Sequence, residues 1–349
     1  MWIGYCQEGL KIKEHDIEFF DVKKEPFNIY GLWNTDKDFH RLPDDVAKES
    51  SGAILSHSVN SSGGRIRFAT DSPYVAIRLK HRPYNNGSPH ITRVAAIGAD
   101  LYIQKKGEET YYASYYPPID KEEEFEGIKY FGSEHMMREI TLNMPLATEV
   151  YEFEVGIKKG SVLKKHRDYK IVEPIVFYGS SITNGFAASR PGTTYESFIS
   201  RNLDCDFINL GFSGSAKGEI ATAEYISKLK MSAFVLDYDW NAPNSEHLMA
   251  THEKFYNMVR ENNRDLPIVL VTRPDSDLND DCQSRRDAIL NTYMNARKSG
   301  DKNIYYIDGY SLFPSDCRRD CTVDGCHPND LGFYFMAQRI GGVLKEIIK

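Results

Sequence analysis

Apolar and polar residues alternate with a period of two through the first half of the chain, as where Tyr151, Phe153, Val155 and Ile157 are separated by Glu152, Glu154 and Gly156. Such alternation places one strand face in a core and the other in water, so it predicts half-buried antiparallel strands. Ile66 and Phe68 alternate with Arg65 and Arg67; Val75, Ile77 and Leu79 alternate with Ala76 and Arg78; Ile140, Leu142 and Met144 continue the pattern. Turn formers such as Ser62, Gly63 and Gly64, or Asn85, Asn86 and Gly87, separate the runs, which predicts a β-sandwich or jelly roll with no long helical period in it. The acidic run 121–126 reads as a solvated loop.

The rhythm changes after the charged stretch 158–173, which sets a boundary between an all-β domain, 1–169, and a second domain, 170–349. Beyond it, short apolar runs at 175–177, 207–210, 234–236, 268–271 and 304–307 have the character of strands buried on both faces of a parallel sheet. Helix candidates lie between them: 194–202, introduced by Thr193 with Glu196 at capping-box spacing, then 246–262, 280–297 and 330–348. The alternation predicts a three-layer, doubly wound α/β domain of flavodoxin-like type, with its site at the carboxyl ends of the strands.

Composition narrows the function. Of 349 residues, 41% are hydrophobic and 27% charged, which is the make-up of a folded globular chain and excludes disordered, collagen-like and coiled-coil classes. A net charge of −7 argues against nucleic acid or an anionic membrane as partner and favours a small or neutral one. No apolar stretch approaches the roughly 18 residues needed to cross a bilayer. The opening ten residues lack a basic segment followed by an apolar one, so the expected location is the cytoplasm unless a leader has been trimmed. Cys317, Cys321 and Cys326 crowd together near a histidine, but paired C-x2-C half-sites are missing; reduced thiols in a loop are expected, and no metal.

Four strand ends carry candidate chemistry. After the first parallel strand, YGSSITNG lets Gly179 make a tight turn and places Ser181 at the start of a helix, where it is either a nucleophile or a turn serine. After the second, NLGFSGSAKG includes Gly214, whose backbone N–H has no side chain to obstruct it. The third ends DYDWNAP: Asn241 offers an amide donor to the same crevice or caps the next segment, and Trp240 is either a substrate contact or a packing residue. Near the C-terminus, TVDGCHPNDLG holds Asp324 and His327 three residues apart, a spacing that lets one turn present a base and the carboxylate that orients it. Phosphate binding at 179–185 is disfavoured, because the loop lacks the lysine of a Walker sequence.

This constellation resembles the SGNH, or GDSL-type, hydrolase superfamily over residues 174–349: Ser181 falls in its first block, Gly214 in the second, Asn241 in the third, and Asp324, His327 and Pro328 in the last. The upstream string Gly98 to Tyr102, GADLY, looks like the GxDLY module that precedes the hydrolase domain in one bacterial branch. The resemblance implies an esterase acting on short acyl groups, often acetyl groups on carbohydrate. It assigns Ser181 as nucleophile, His327 as base and Asp324 as its orienting acid, with the N–H groups of Ser181 and Gly214 and the amide of Asn241 as the oxyanion hole, and no cofactor. Two positions depart from the family pattern, Ser180 and Ala242, each of which is usually Asp. They motivate the alternative of a carbohydrate-binding protein that has lost activity.

Overall fold

In the computed structural model, which describes residues 12, 14–84, 88–119, 123–132, 136–274 and 280–348, the alternating stretches become strands. They are β1 (Ile17–Asp21), β2 (Asn28–Tyr30), β3 (Arg65–Thr70), β4 (Tyr74–His81), β5 (Ala99–Lys105), β6 (Glu108–Tyr115), β7 (Glu124–Tyr130), β8 (Arg138–Asn143), β9 (Val150–Lys158) and β10 (Leu163–Lys164). Two antiparallel sheets result, ordered β1-β9-β4-β7 and β10-β3-β8-β5-β6, with β2 added beside β3. Ile66 and Phe68, Val75, Ile77 and Leu79, Ile140 and Leu142, and Phe153, Val155 and Ile157 share one core.

Several expectations for this half are corrected. Tyr151 does not continue the buried face of β9: the register slips between Lys80 and His81, pairing them with Glu152 and Val150, so Tyr151 is the extra residue of a bulge and turns to solvent. Residues 124–126 are strand, with Phe125 buried, not a loop. Strand β3 is buried on both faces, and Arg67 reaches toward His166 Nε2 at 3.4 Å. Residues 85–87, 121, 122 and Cys6 lie outside the described set. Two helices, α1 (Asp44–Ser50) and α2 (Gly52–Ser58), interrupt the strands; at seven residues each they are too short for a helical period to stand out.

The chain divides into two units, one within 1–41, 59–168 and 189–192, the other within 42–58, 169–188 and 193–349. The change of rhythm at 169/170 falls one residue from a crossing, while the short segments 42–58 and 189–192 each belong to the other unit. The GADLY motif accounts for the second. Asp100 is fully buried and accepts hydrogen bonds from Gly192 N (2.8 Å) and Asn143 Nδ2 (2.7 Å), and the Tyr102 hydroxyl donates to Gly192 O (3.1 Å). Just before β5 the first unit also holds α3 (Arg93–Ile97) on the Thr92 cap.

The second unit is built on a parallel sheet of β11 (Ile171–Gly179), β12 (Cys205–Gly211), β13 (Ala233–Asp237), β14 (Ile268–Val271) and β15 (Ile304–Ile307), ordered β12-β11-β13-β14-β15. Its helices are α4 (Ser181–Asn184), α5 (Tyr195–Leu203), α6 (Ile220–Ser227), α7 (Ser245–Asn262), α8 (Asp280–Lys298) and α9 (Asp330–Ile347). On one face Tyr195 of α5 packs edge-on to Phe177 and stacks on Phe333 of α9; on the other, Val176, Phe234, Leu236 and Ile268 share a core with residues of α6, α7, α8, α1 and α2. The doubly wound layering expected from the sequence is present. One cap is corrected: α5 starts on Thr194, whose Oγ1 accepts from Ser197 N at 3.3 Å, and Glu196 points inward instead of closing a capping box.

Because Ile54 of α2 is fully buried in the core that lines the parallel sheet, its loss is felt there. Ile54→Ala is expected to destabilise the α/β unit by about 2–5 kcal/mol. Denaturant unfolding followed by a probe on α7 checks this, and an unchanged midpoint would contradict it.

Candidate active site

β11 lies between β12 and β13, so the strand order reverses across it and the loops leaving the three strands open a crevice at their carboxyl ends. Gly179 closes β11 where a Cβ would fall 2.1 Å from Thr183 Oγ1 and 2.5 Å from Asp237 O, so only glycine fits between α4 and β13. Ser180 caps α4 by accepting from Ile182 N at 3.1 Å, a task suited to its hydroxyl in place of the usual carboxylate. Gly185, at φ +90°, ends the turn, and Phe186 N returns to Ser181 O at 2.9 Å.

Ser181 Oγ stands 3.0 Å from His327 Nε2, and His327 Nδ1 stands 2.7 Å from Asp324 Oδ2. An ionised carboxylate only accepts, so Nδ1 carries the proton and Nε2 is left to accept from the serine. The other Asp324 oxygen accepts from the backbone N–H of His327 (2.7 Å) and of Cys326 (2.9 Å). Burial pushes this carboxyl up, but those hydrogen bonds outweigh it and hold it at about 2, so it stays ionised through the neutral range. The turn is pinned by Val323 N donating to His327 O and by Asn329 capping α9. Phe186 packs against the His327 ring, centroids 4.6 Å apart, a contact with no signal in the sequence.

The second and third loops meet through Asn241, whose Nδ2 donates to Phe212 O at 2.8 Å and keeps a second N–H to offer. Gly214 is exposed and at φ +67°, a conformation that favours glycine. Trp240 is half-buried, with the Arg273 guanidinium 4.6 Å over its ring. Cys317, Cys321 and Cys326 are free thiols, and among the described residues no three metal-binding side chains converge.

Beneath Ser181 lies a buried polar cluster that sequence reasoning missed. The Tyr195 hydroxyl is 3.2 Å from Thr183 Oγ1 and 3.3 Å from Asp237 Oδ2, and Asn209 Nδ2 donates to Thr183 O (2.5 Å) and to Glu196 Oε1 (3.3 Å). Thr183 and Asn184 therefore face inward and do not line the crevice mouth. Burial, reinforced by the charge of Asp239, pushes Asp237 well above the carboxylate range against the pull of the Tyr195 and Thr183 hydroxyls. Its one sequence signal is a charged residue ending the apolar run FVLD.

Residues 172–345 match the model of the GDSL-like lipase/acylhydrolase family, and residues 17–163 match the N-terminal module of SGNH-hydrolase-type esterases. The chain belongs to this family of carboxylic ester hydrolases and carries its N-terminal module. Among solved structures, a candidate GDSL-like lipase from Bacteroides ovatus is 29% identical, with TM-score 0.86 over 95% of this chain and 99% of the other. The salicylyl-acyltransferase SsfX3 of a tetracycline biosynthetic pathway is 20% identical, with TM-score 0.77 over 96% and 99%. An acetyl xylan esterase from Butyrivibrio proteoclasticus is 11% identical, with TM-score 0.60 over 95% and 98%, a likeness of fold. Among curated protein sequences, none matches.

A carboxyl raised by folding contributes most to stability below the ordinary aspartate range and loses that contribution as pH rises through and above it. Asp237→Asn, neutral at every pH, is thus expected to gain in Tm relative to the parent protein as pH rises above the ordinary aspartate value of about 4. Parallel pH profiles of Tm would show that Asp237 ionises in place without penalty.

Proposed function

We propose that this acylhydrolase cleaves short-chain acyl esters, acetyl above all, on carbohydrate, with Ser181, His327 and Asp324 as its catalytic triad. The observation that carries the reading is the continuous run of hydrogen bonds from Ser181 through His327 to Asp324, at 3.0 and 2.7 Å. Ser181 Oγ adds to the ester carbonyl as its proton passes to His327 Nε2, and the imidazolium formed is stabilised by the Asp324 carboxylate. The backbone N–H groups of Ser181 and Gly214 and the remaining N–H of Asn241 receive the oxyanion. His327 then returns the proton to the departing alcohol, leaving an acyl-serine. Water, deprotonated by the same His327, attacks that acyl group and releases the acid and free Ser181. No metal or organic cofactor enters these steps.

The acyl preference is argued from the crevice loops. Long-chain lipases need an extended apolar trough, since each buried methylene contributes about 0.8 kcal/mol. Here the loops 213–217 and 241–245 are polar or small, with Phe186 against the His327 ring and Trp240 in the turn beside Asn241 as larger apolar residues. The carbohydrate half of the reading is supported by the fold shared with the Butyrivibrio acetyl xylan esterase.

Two experiments test the proposal. A fluorophosphonate probe is expected to label Ser181 stoichiometrically; Ser181→Ala and His327→Ala should each remove nearly all turnover, and the double variant should be no slower than either, because the pair acts as a unit. A folded protein that resists labelling would be a binding protein instead. For chain length, kcat/KM is expected to fall from acetyl to butyryl to octanoyl esters, with acetylated oligosaccharides as substrates; a steady rise to octanoyl would overturn the short-acyl reading.

A further inference from the structure

We infer that Arg285 of α8 is a positioning residue for Asn241, clasping the short turn that presents its amide to the oxyanion; this rests on the reading of Asn241 as an oxyanion donor. The turn is a single 3-10 element, Asp239–Asn241, closed by two backbone hydrogen bonds, Asn241 N to Tyr238 O (3.0 Å) and Ala242 N to Asp239 O (3.2 Å). Three residues with so little internal bonding do not by themselves hold a donor to the few tenths of an ångström that oxyanion stabilisation requires.

Arg285 supplies the missing constraint. Its Nη1 donates to Asp239 O (2.9 Å) and Asp239 Oδ1 (3.2 Å), and its Nη2 donates to Ala242 O (2.9 Å). The two ends of the guanidinium therefore seize the carbonyls on either side of Trp240 and Asn241. The fork is itself held, because Nε donates to Asp281 Oδ2 (2.9 Å) on the preceding turn of α8. From the other side the second oxygen of Asp239 accepts from Arg273 N (2.9 Å), tying the turn to the loop after β14.

Burying a guanidinium costs desolvation that an apolar side chain would avoid, and Arg285 is only 5% exposed next to Ala288 and Ile289, which serve the core. What the charge adds is planar, multi-point geometry at the turn, which a lysine cannot copy from a single nitrogen. The contact also explains how the turn tolerates Ala242 where the family pattern has Asp, since Arg285 takes hold of the backbone carbonyl there and asks nothing of the side chain.

The test is a double-mutant cycle on the full chain with an acetyl ester, reading kcat, KM, Tm and the affinity of a trifluoromethyl ketone, whose enzyme adduct carries an oxyanion. Asn241→Ala is expected to lower kcat by about 10²- to 10³-fold. Arg285→Lys is expected to lower kcat by about tenfold and ketone affinity by the same factor, with KM within about twofold. In the double variant the Arg285→Lys loss should vanish, because the donor it positions is gone. Asp281→Asn, an exposed change that loosens the outer hold on Arg285 together with the pairing of the same oxygen with Arg273 Nη2 (3.1 Å), should show the same pattern in milder form and serves if Arg285→Lys does not fold. Losses that multiply in the double variant, or a lower Tm with unchanged kcat and ketone affinity, would overturn the positioning role while leaving Asn241 in place. If Asn241→Ala alone left kcat intact, the oxyanion reading of Asn241 would fall, and the clasp with it.

Discussion

The close approach of backbone to backbone at the carboxyl end of β11 is the constraint on which the rest of the site depends. At Gly179 and at Gly211 a Cβ would fall 2.1 and 2.2 Å from atoms of Thr183 and Asn184, so both strands must end in glycine for α4 to lie against the sheet. Once it does, Ser181 stands where the strand order reverses, and a residue 146 positions later in the chain meets it at 3.0 Å. Phe212 N donating to Gly179 O, and Asn241 Nδ2 donating to Phe212 O, then bind the second and third loops to the same point. The crevice is a consequence of parallel register: Gly179 lies beside Gly211 on one side and Asp237 on the other.

Two aspartates near this point are driven in opposite directions by their surroundings. Asp324, part-exposed and served by one imidazole and two backbone N–H groups, is held at about 2 and keeps the charge that an imidazolium needs beside it. Asp237, beneath α4 and short of strong donors, is pushed up by burial and shares hydroxyl contacts with Tyr195 and Thr183. Chemically identical side chains thus divide into one held below its ordinary range beside an imidazole and one pushed above it among hydroxyls. Arg285 and Asp239 show a third arrangement, a buried ion pair whose arginine also donates to the backbone of the Asn241 turn.

How far the site was legible follows from the same geometry. Asp324 and His327 are three residues apart, and a local turn is enough to join them, so their pairing could be read from spacing. Ser181, Gly214 and Asn241 could be placed together because each follows an apolar run and parallel strands deliver their ends to one edge. Phe186 and Arg285 gave no such sign, and Asp237 only that of a charge ending an apolar run, since their partners are distant in sequence and a lone aromatic, aspartate or arginine is common in any soluble chain. Glu196 was misread for a related reason: capping-box spacing is a local signal, and the buried Asn209 amide competed for its carboxyl.

By itself the sequence determined the class of each half, because periods of two, runs of buried β-branched residues and glycines at strand ends are set by local sterics and by which faces must leave water. It also determined the order in which Ser181, Gly214, Asn241, Asp324 and His327, the residues of the proposed machinery, occur along the chain. Only the tertiary structure decided which segments cross between the units. The pairing of Asp100 with Gly192, and of Ile54 with the core of the parallel sheet, depends on contacts that no window of neighbouring residues contains. It alone decided, too, the bulge that turns Tyr151 outward and the clasp of Arg285 on the Asn241 turn, since both arise from matching one element's register to another's, and that is a property of the packed chain.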